Sequence, residues 1–310
     1  MLQADSSSVP RKKLPNGILE LHRPPHWYIY KPALHLTLLF VVVWCAFSVG
    51  EPVRSLLEVA VASQILALYV LMHQAAHGSL TRNLGLNEAI GSTLALMLAT
   101  SFTGYRACHM AHHKSLRKAD DPQEVVHTFP DSRAKTGALL VIASCLGAAV
   151  FIWLRVPIFG LRLASRGRVV IEWILALSFQ LLFFGLILPR GVATIILTSA
   201  AFALIWGSAI DITYHQGLPL SGGPESSRSF RSNWLIRGWV LNGENWHLEH
   251  HVYPGVPGCN LRKLSDLVHD DLASQGGVYE AGYFRTFLNC FFRSPVFLPP
   301  KLSPRKGGSM

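Results

Sequence analysis

The sequence predicts an all-α integral membrane protein with four transmembrane helices, interfacial helices and a cytoplasmic cap lined by histidines. Three observations carry that expectation. Half of the 310 residues are apolar and only 15% are charged, whereas an ordinary soluble domain is about one quarter charged. Six apolar runs follow one another along the chain. Nine of the 14 histidines fall into four tight groups beside those runs.

Residues 1–32 are polar, proline-rich and basic, and read as a cytoplasmic arm, either a mobile tail or an arm on the surface. Residues 33–293 form the membrane body, and residues 294–310 a proline- and lysine-rich tail. The runs are Leu34–Gly50, Leu56–Met72, Ala89–Phe102, Gly137–Leu154, Val169–Leu188 and Val192–Ile210. A helix needs about 20 apolar residues to cross a bilayer, with roughly 17 as the minimum. Ala89–Phe102 falls short of that length, and Gly137–Leu154 reaches it.

Loop charge orients the runs, because lysine and arginine gather on the cytoplasmic side. Arg11, Lys12, Lys13, Arg23 and Lys31 precede the first run, so it leads outward and the second returns near His73. Arg155, Arg162, Arg166 and Arg168 lie between the fourth and fifth runs and belong to the cytoplasm too. The third and fourth runs must then both cross or both stay inside. Crossing would separate His109–His113 from His73 and His77, so both are expected to be interfacial or re-entrant. The fifth run leads out, Pro189-Arg190-Gly191 turns, and the sixth returns before His215. Four crossings leave every histidine group on one cytoplasmic face.

The net charge of +10 suits contact with anionic lipid. No stripe of basic and aromatic residues marks a nucleic-acid surface. Cys45, Cys108, Cys145, Cys259 and Cys290 form no CxxC pair, which excludes a disulfide framework and a thiolate metal site and suits a reducing compartment. No cleavable signal peptide is expected, since the first apolar run begins only near Ala33.

The histidine spacing carries the chemistry. His73 and His77 form HxxxH. His109, His112 and His113 form HxxHH, as do His247, His250 and His251, and His215 follows the sixth run. Residues three and four apart share one helix face. In HxxHH the first ring can meet both later rings, while the adjacent pair can diverge toward two metals. Imidazoles suit iron, zinc or copper. A structural zinc takes four ligands, so nine imply two metals in one cup. His22, His26, His35, His127 and His269 have no partner at useful spacing and read as surface or interface residues. Glu249 precedes His250 instead of following His247, so the HExxH of zinc proteases is absent. Asp211, Asn242, Glu244 and Glu249 are candidates to receive the outer N–H of the ligand rings. Tyr105, Trp246 and Tyr253 are candidates to line a substrate channel or anchor the membrane interface. The basic stretches Lys114–Lys118 and Arg155–Arg168 suit an acidic partner or anionic lipid.

These boxes resemble the three boxes of the membrane fatty acid desaturase family, and the order is the same. The flanking text is similar too: Gly78-Ser79-Leu80 and Leu86-Asn87 after the first box, Tyr105-Arg106 before the second, Asp121-Pro122 after it. Trp246 through Pro257 is close to the third box and its tail. The resemblance spans about His73 to Leu267. It implies two non-haem irons held by the nine grouped histidines, with O2 as co-substrate and external electrons. The donor is expected to be separate, such as a ferredoxin with a reductase, since no fused haem-binding domain is seen. The implied reaction is desaturation of a fatty acyl chain at a bacterial inner membrane, with the active site facing the cytoplasm. Alternatives are hydroxylation or ketolation of a carotenoid or alkane, desaturation of a small amino-acid-derived metabolite, and a non-enzymatic membrane scaffold. One departure from the family stands out. Asp211 occupies the place where the family often has an asparagine, four residues before the additional histidine.

Overall fold

The computed structural model describes residues 17–118, 120–123 and 145–292. His127 and the first half of the fourth apolar run lie outside these residues. The described chain is mostly helical. It comprises α1 (Ile18–Leu21), α2 (Lys31–Phe47), α3 (Val53–Ala76), α4 (Leu84–Met97) and α5 (Phe102–Lys114). Then come α6 (Cys145–Leu163), α7 (Arg166–Ile187) and α8 (Arg190–His215). A cap follows with β1 (Arg228–Phe230), α9 (His247–Val252), α10 (Gly258–Ser274), β2 (Val278–Glu280) and α11 (Tyr283–Phe292). The strands β1 and β2 pair in parallel.

Five helical stretches are long and apolar enough to cross a membrane: Ile18–Phe47, Val53–Ala76, Cys145–Leu163, Arg166–Ile187 and Arg190–His215. The sequence leads to four crossings, so α6 is the additional candidate. α7 shows what surrounds this body. Ile171, Ile174, Leu175, Leu181, Leu182, Leu186 and Ile187 are all exposed along it. A continuous apolar face of that size is costly in water and suits lipid. α3 is the inner helix, packed against α2, α4 and α8.

Local sequence explains where the helices stop. α3 ends because Gly78 takes φ 68 and Ser79 N–H bonds back to Gln74 O at 3.0 Å, a left-handed C-terminal turn that suits glycine. Asn87, buried, donates to Gly78 O and Thr81 O and accepts from Thr81 N, which pins the turn after the first box. Asn83 caps α4 through Leu86 N. The carbonyls of Leu96 and Met97 at the other end of α4 accept from Gln180 Nε2 of α7 at 2.9 and 3.1 Å. That contact gives the Met97 carbonyl a donor at the end of the helix and adds one to Leu96 O, which also accepts from Ala99 N at 3.4 Å.

The start of α5 is fixed still more firmly. Ser101 Oγ accepts from Gly104 N at 3.0 Å. Glu172 of α7 accepts from Ser101 Oγ (2.6 Å), Thr103 N (2.8 Å) and Thr103 Oγ1 (2.7 Å). Glu88 of α4 pairs with both Arg106 and Arg168. α6 crosses α5 at bare backbone: a Cβ on Gly160 would lie 2.8 Å from Gly104 Cα.

From residue 17 onward the N-terminal arm is attached to the body, as the surface-arm alternative has it. Ile18 and Tyr28 are fully buried, and Tyr28 joins the main core with Leu71, Met72, Phe102 and Tyr105. Ile18 packs with Leu248, Leu261 and Leu264 of the cap. Two apolar anchors in a polar stretch are enough to dock it, because each buries a large side chain. His35 lies at the interface between α2 and α3. It is fully buried in α2, with Nδ1 2.8 Å from Gln64 Oε1.

Candidate metal centre

Four elements bring the nine histidines together: the end of α3 (His73, His77), the last turns of α5 (His109, His112, His113), the last residue of α8 (His215) and α9 (His247, His250, His251). They sort into two groups. The ligand atoms of His73, His77, His109, His113 and His250 all lie within 4.8 Å of one another, as do those of His112, His215 and His251. His247 belongs with the second group, its Nε2 3.1 Å from His215 Nε2 and 3.0 Å from His251 Nε2.

The sorting follows helix geometry. His109 and His113, four apart, stay together in the first group, and His112 leaves for the second. His247 and His251, also four apart, stay together in the second group, and His250 leaves for the first. Each HxxHH therefore serves both groups, as the divergence of adjacent side chains requires. The groups meet where the rings of His113 and His251 stack at 4.3 Å.

The outer nitrogens decide what the inner ones offer. His112 Nδ1 lies 2.9 and 3.0 Å from the two Asp121 oxygens, His215 Nδ1 3.1 Å from Ser226 O, and His109 Nδ1 3.3 Å from Gln123 Oε1. These partners are acceptors, so each Nδ1 carries the proton and each Nε2 presents a lone pair inward. Yet the Nε2 atoms crowd: His77 to His109 is 2.9 Å, His109 to His113 3.0 Å, and His113 to His250 3.1 Å. Where no neutral ring turns an Nε2–H toward its neighbour, lone pairs at this distance repel unless a cation sits among them. Burial, the largest cause, holds His109, His247, His250 and His251 well below the ordinary histidine range and His113 at about 2. Protonation therefore does not relieve the crowding at neutral pH. The nitrogen donor set fits two divalent transition-metal ions.

Two buried carboxylates flank the groups. Asp121 accepts from His112 and from the backbone N–H of Arg117 and Gln123, at 2.9 and 2.8 Å. Glu244 lies with its oxygens 3.8 Å from His73 Nδ1 and 3.5 Å from His250 Nδ1, and accepts from Gln74 Nε2 at 3.1 Å. Burial pushes the Glu244 carboxyl up to about 8 against that hydrogen bond. Among the described residues the ion-pair partners of both carboxylates are histidines and not lysine or arginine. A cation held among the rings would compensate their charge.

The expected outer partners divide. Glu244 stands beside the rings. Asn242 instead uses its carbonyl, which accepts from Gln74 and Tyr28, and its side chain, which accepts from Lys31 at 2.5 Å. Glu249, also buried, accepts from Ser229 Oγ. Asp211 sits one turn before His215 on α8. Asp121, Gln123 and Ser226 are partners of the rings that box spacing does not reveal. Only Asp121 has a local signal, its place nine residues after His112. Two tyrosines stack on rings of the cup: Tyr214 on His247 at 3.8 Å and Tyr105 on His109 at 5.6 Å.

A bundle of apolar helices closed at one end by two linked histidine clusters that could hold metal defines the class: a helical membrane protein with an all-imidazole cup. A family model described as fatty acid desaturase matches residues 52–283. That is most of the chain, from the start of α3 to the first residue of α11. The protein belongs to the fatty acid desaturase family. No curated protein matches the chain.

Proposed function

We propose that the protein is an O2-dependent membrane desaturase that introduces a double bond into a fatty acyl chain. The two convergent sets of Nε2 lone pairs carry this reading. His73, His77, His109, His113 and His250 would hold one iron, and His112, His215, His247 and His251 the other. Irons bound there supply the O2 activation and C–H abstraction that unactivated acyl carbons require. The electrons come from a separate donor such as a ferredoxin with its reductase. The protein's own groups hold the rings. Asp121, Ser226 O and Gln123 keep the protons of three rings on Nδ1, facing outward. Tyr105 and Tyr214 cover two rings and keep water from their faces.

In this reading α2, α3, α7 and α8 cross, and α4, α5 and α6 remain on the histidine side, facing the cytoplasm of a bacterial inner membrane. Parity supports it. α3 and α8 both end in the histidine cup, and only Leu188 and Pro189 separate α7 from α8. α7 must then begin on the histidine side. The contacts of α6 agree: Ala148 N meets Ser208 Oγ at 2.8 Å near the histidine end of α8, and Arg155 meets Pro122 O at 2.8 Å.

The test is co-expression with a ferredoxin and reductase, beside His112→Ala, with lipid extracts compared by mass spectrometry. A product lighter by two hydrogens in the wild type alone is expected. A product heavier by one oxygen moves the assignment to a hydroxylase. Unchanged lipids from an iron-loaded, reducible protein overturn the acyl substrate.

A further inference from the structure

The two buried carboxylates do not serve the cup equally. Glu244 faces only rings of the first group, His73 from the first box and His250 from the third. Asp121 faces only His112, a member of the second group. Each approaches its rings at Nδ1, Asp121 at 2.9 and 3.0 Å from His112 and Glu244 at 3.8 Å from His73 and 3.5 Å from His250. Each is almost fully enclosed, with side chains 5% and 1% exposed, so beside a bound cation its charged form would act across a poorly screened path.

The supports are separate as well. Glu244 is held from the N-terminal side of the molecule. Tyr28 OH donates to Gln74 Oε1 at 2.8 Å, and Gln74 Nε2 donates to Glu244. Asp121 is held by its own loop, through the backbone N–H of Arg117 and Gln123. The two carboxylates therefore rest on different parts of the chain.

On the reading that both groups hold metal, we propose that Glu244 and Asp121 are positioning residues for different ions. Glu244 retains the ion of the first group, and Asp121 retains that of the second. Each ion can then be lost without the other, although the two share helices α5 and α9.

The experiment measures total metal per chain in detergent-purified holoprotein, for wild type, Glu244→Gln, Asp121→Asn and the double variant. Outer carboxylate changes typically weaken metal binding about 10- to 100-fold. After dialysis against a competing chelator, each single variant is expected to keep one metal per chain and the double variant none. With His112→Ala as background, Asp121→Asn should add no further loss, while Glu244→Gln should remove the remaining ion. Glu244→Asp and Asp121→Glu keep the charge and shift it by one methylene. They give the same site-selective loss if a neutralised variant fails to fold. Loss of both ions from a well-folded single variant, or of neither, overturns the proposal. A wild type that binds no metal overturns the enzyme reading instead.

Discussion

Gly243 and Gly258 meet back to back behind the first histidine group. A Cβ on Gly258 would lie 2.0 Å from Asn242 O and 2.3 Å from Gln74 Nε2, and one on Gly243, at φ +95, 1.9 Å from Gly258 O. Neither contact can relax without moving the turn that carries Glu244. Gly258→Ala is therefore expected to cost about 1–3 kcal/mol and to lower metal content, read by thermal melting and metal analysis. An unchanged melt with full metal would show that the turn yields. Tyr214 offers the opposite case. Its hydroxyl is buried without a hydrogen-bond partner among the described residues, while its ring stacks on His247. Tyr214→Phe should leave metal content intact and stability equal or higher, whereas Tyr214→Ala should lower both. At this scale the box histidines are legible because their spacing is local. Asp121 is readable only as part of a motif, and Gln123 and Ser226 not at all, because loop backbone sets their partners.

Helix α5 carries three of the nine candidate ligands and is located by groups distant in sequence. Glu172 neutralises its first turn from α7, and Gly160 lets α6 lie directly on Gly104. Glu172→Ala removes charge-assisted hydrogen bonds, each worth about 1.5–3 kcal/mol. The expected result is a lower melting temperature and weaker binding at both metal groups, since His109, His112 and His113 all ride on α5. Selective loss from one group would contradict a rigid-helix role. The sequence announces α2, α3, α7 and α8 through their apolar length. It joins α4 and the head of α5 into one run, because the break at Leu98–Ser101 shows in backbone geometry, including Ala99 at φ 54, and not in composition. Length and hydropathy admit α6 as a span, since they measure the helix and not its neighbours.

Across the whole molecule, the cup ties α3, α5, α8 and α9 at one end of the bundle. Metal binding to the folded state alone adds about 4 kcal/mol when free ion exceeds Kd a thousandfold. Chelator-stripped protein should melt at lower temperature and recover when metal is restored. An identical melt would mean the bundle holds the cup without help. Topology is tested with single cysteines in a cysteine-free background, probed with an impermeant maleimide in intact cells. Gly50→Cys and Gly191→Cys should react, and Ser165→Cys should not. Labelling at Ser165 would put α6 across the bilayer.

The donor set has a further consequence. Nine imidazole nitrogens offer no oxygen and no sulfur by which to prefer one late first-row ion over another, and zinc binds such sites more tightly than ferrous iron. The scaffold therefore has little means of refusing the wrong metal. What it holds depends on the supply in the cell when it folds, and a sample purified from a zinc-rich host is expected to be full, stable and inert.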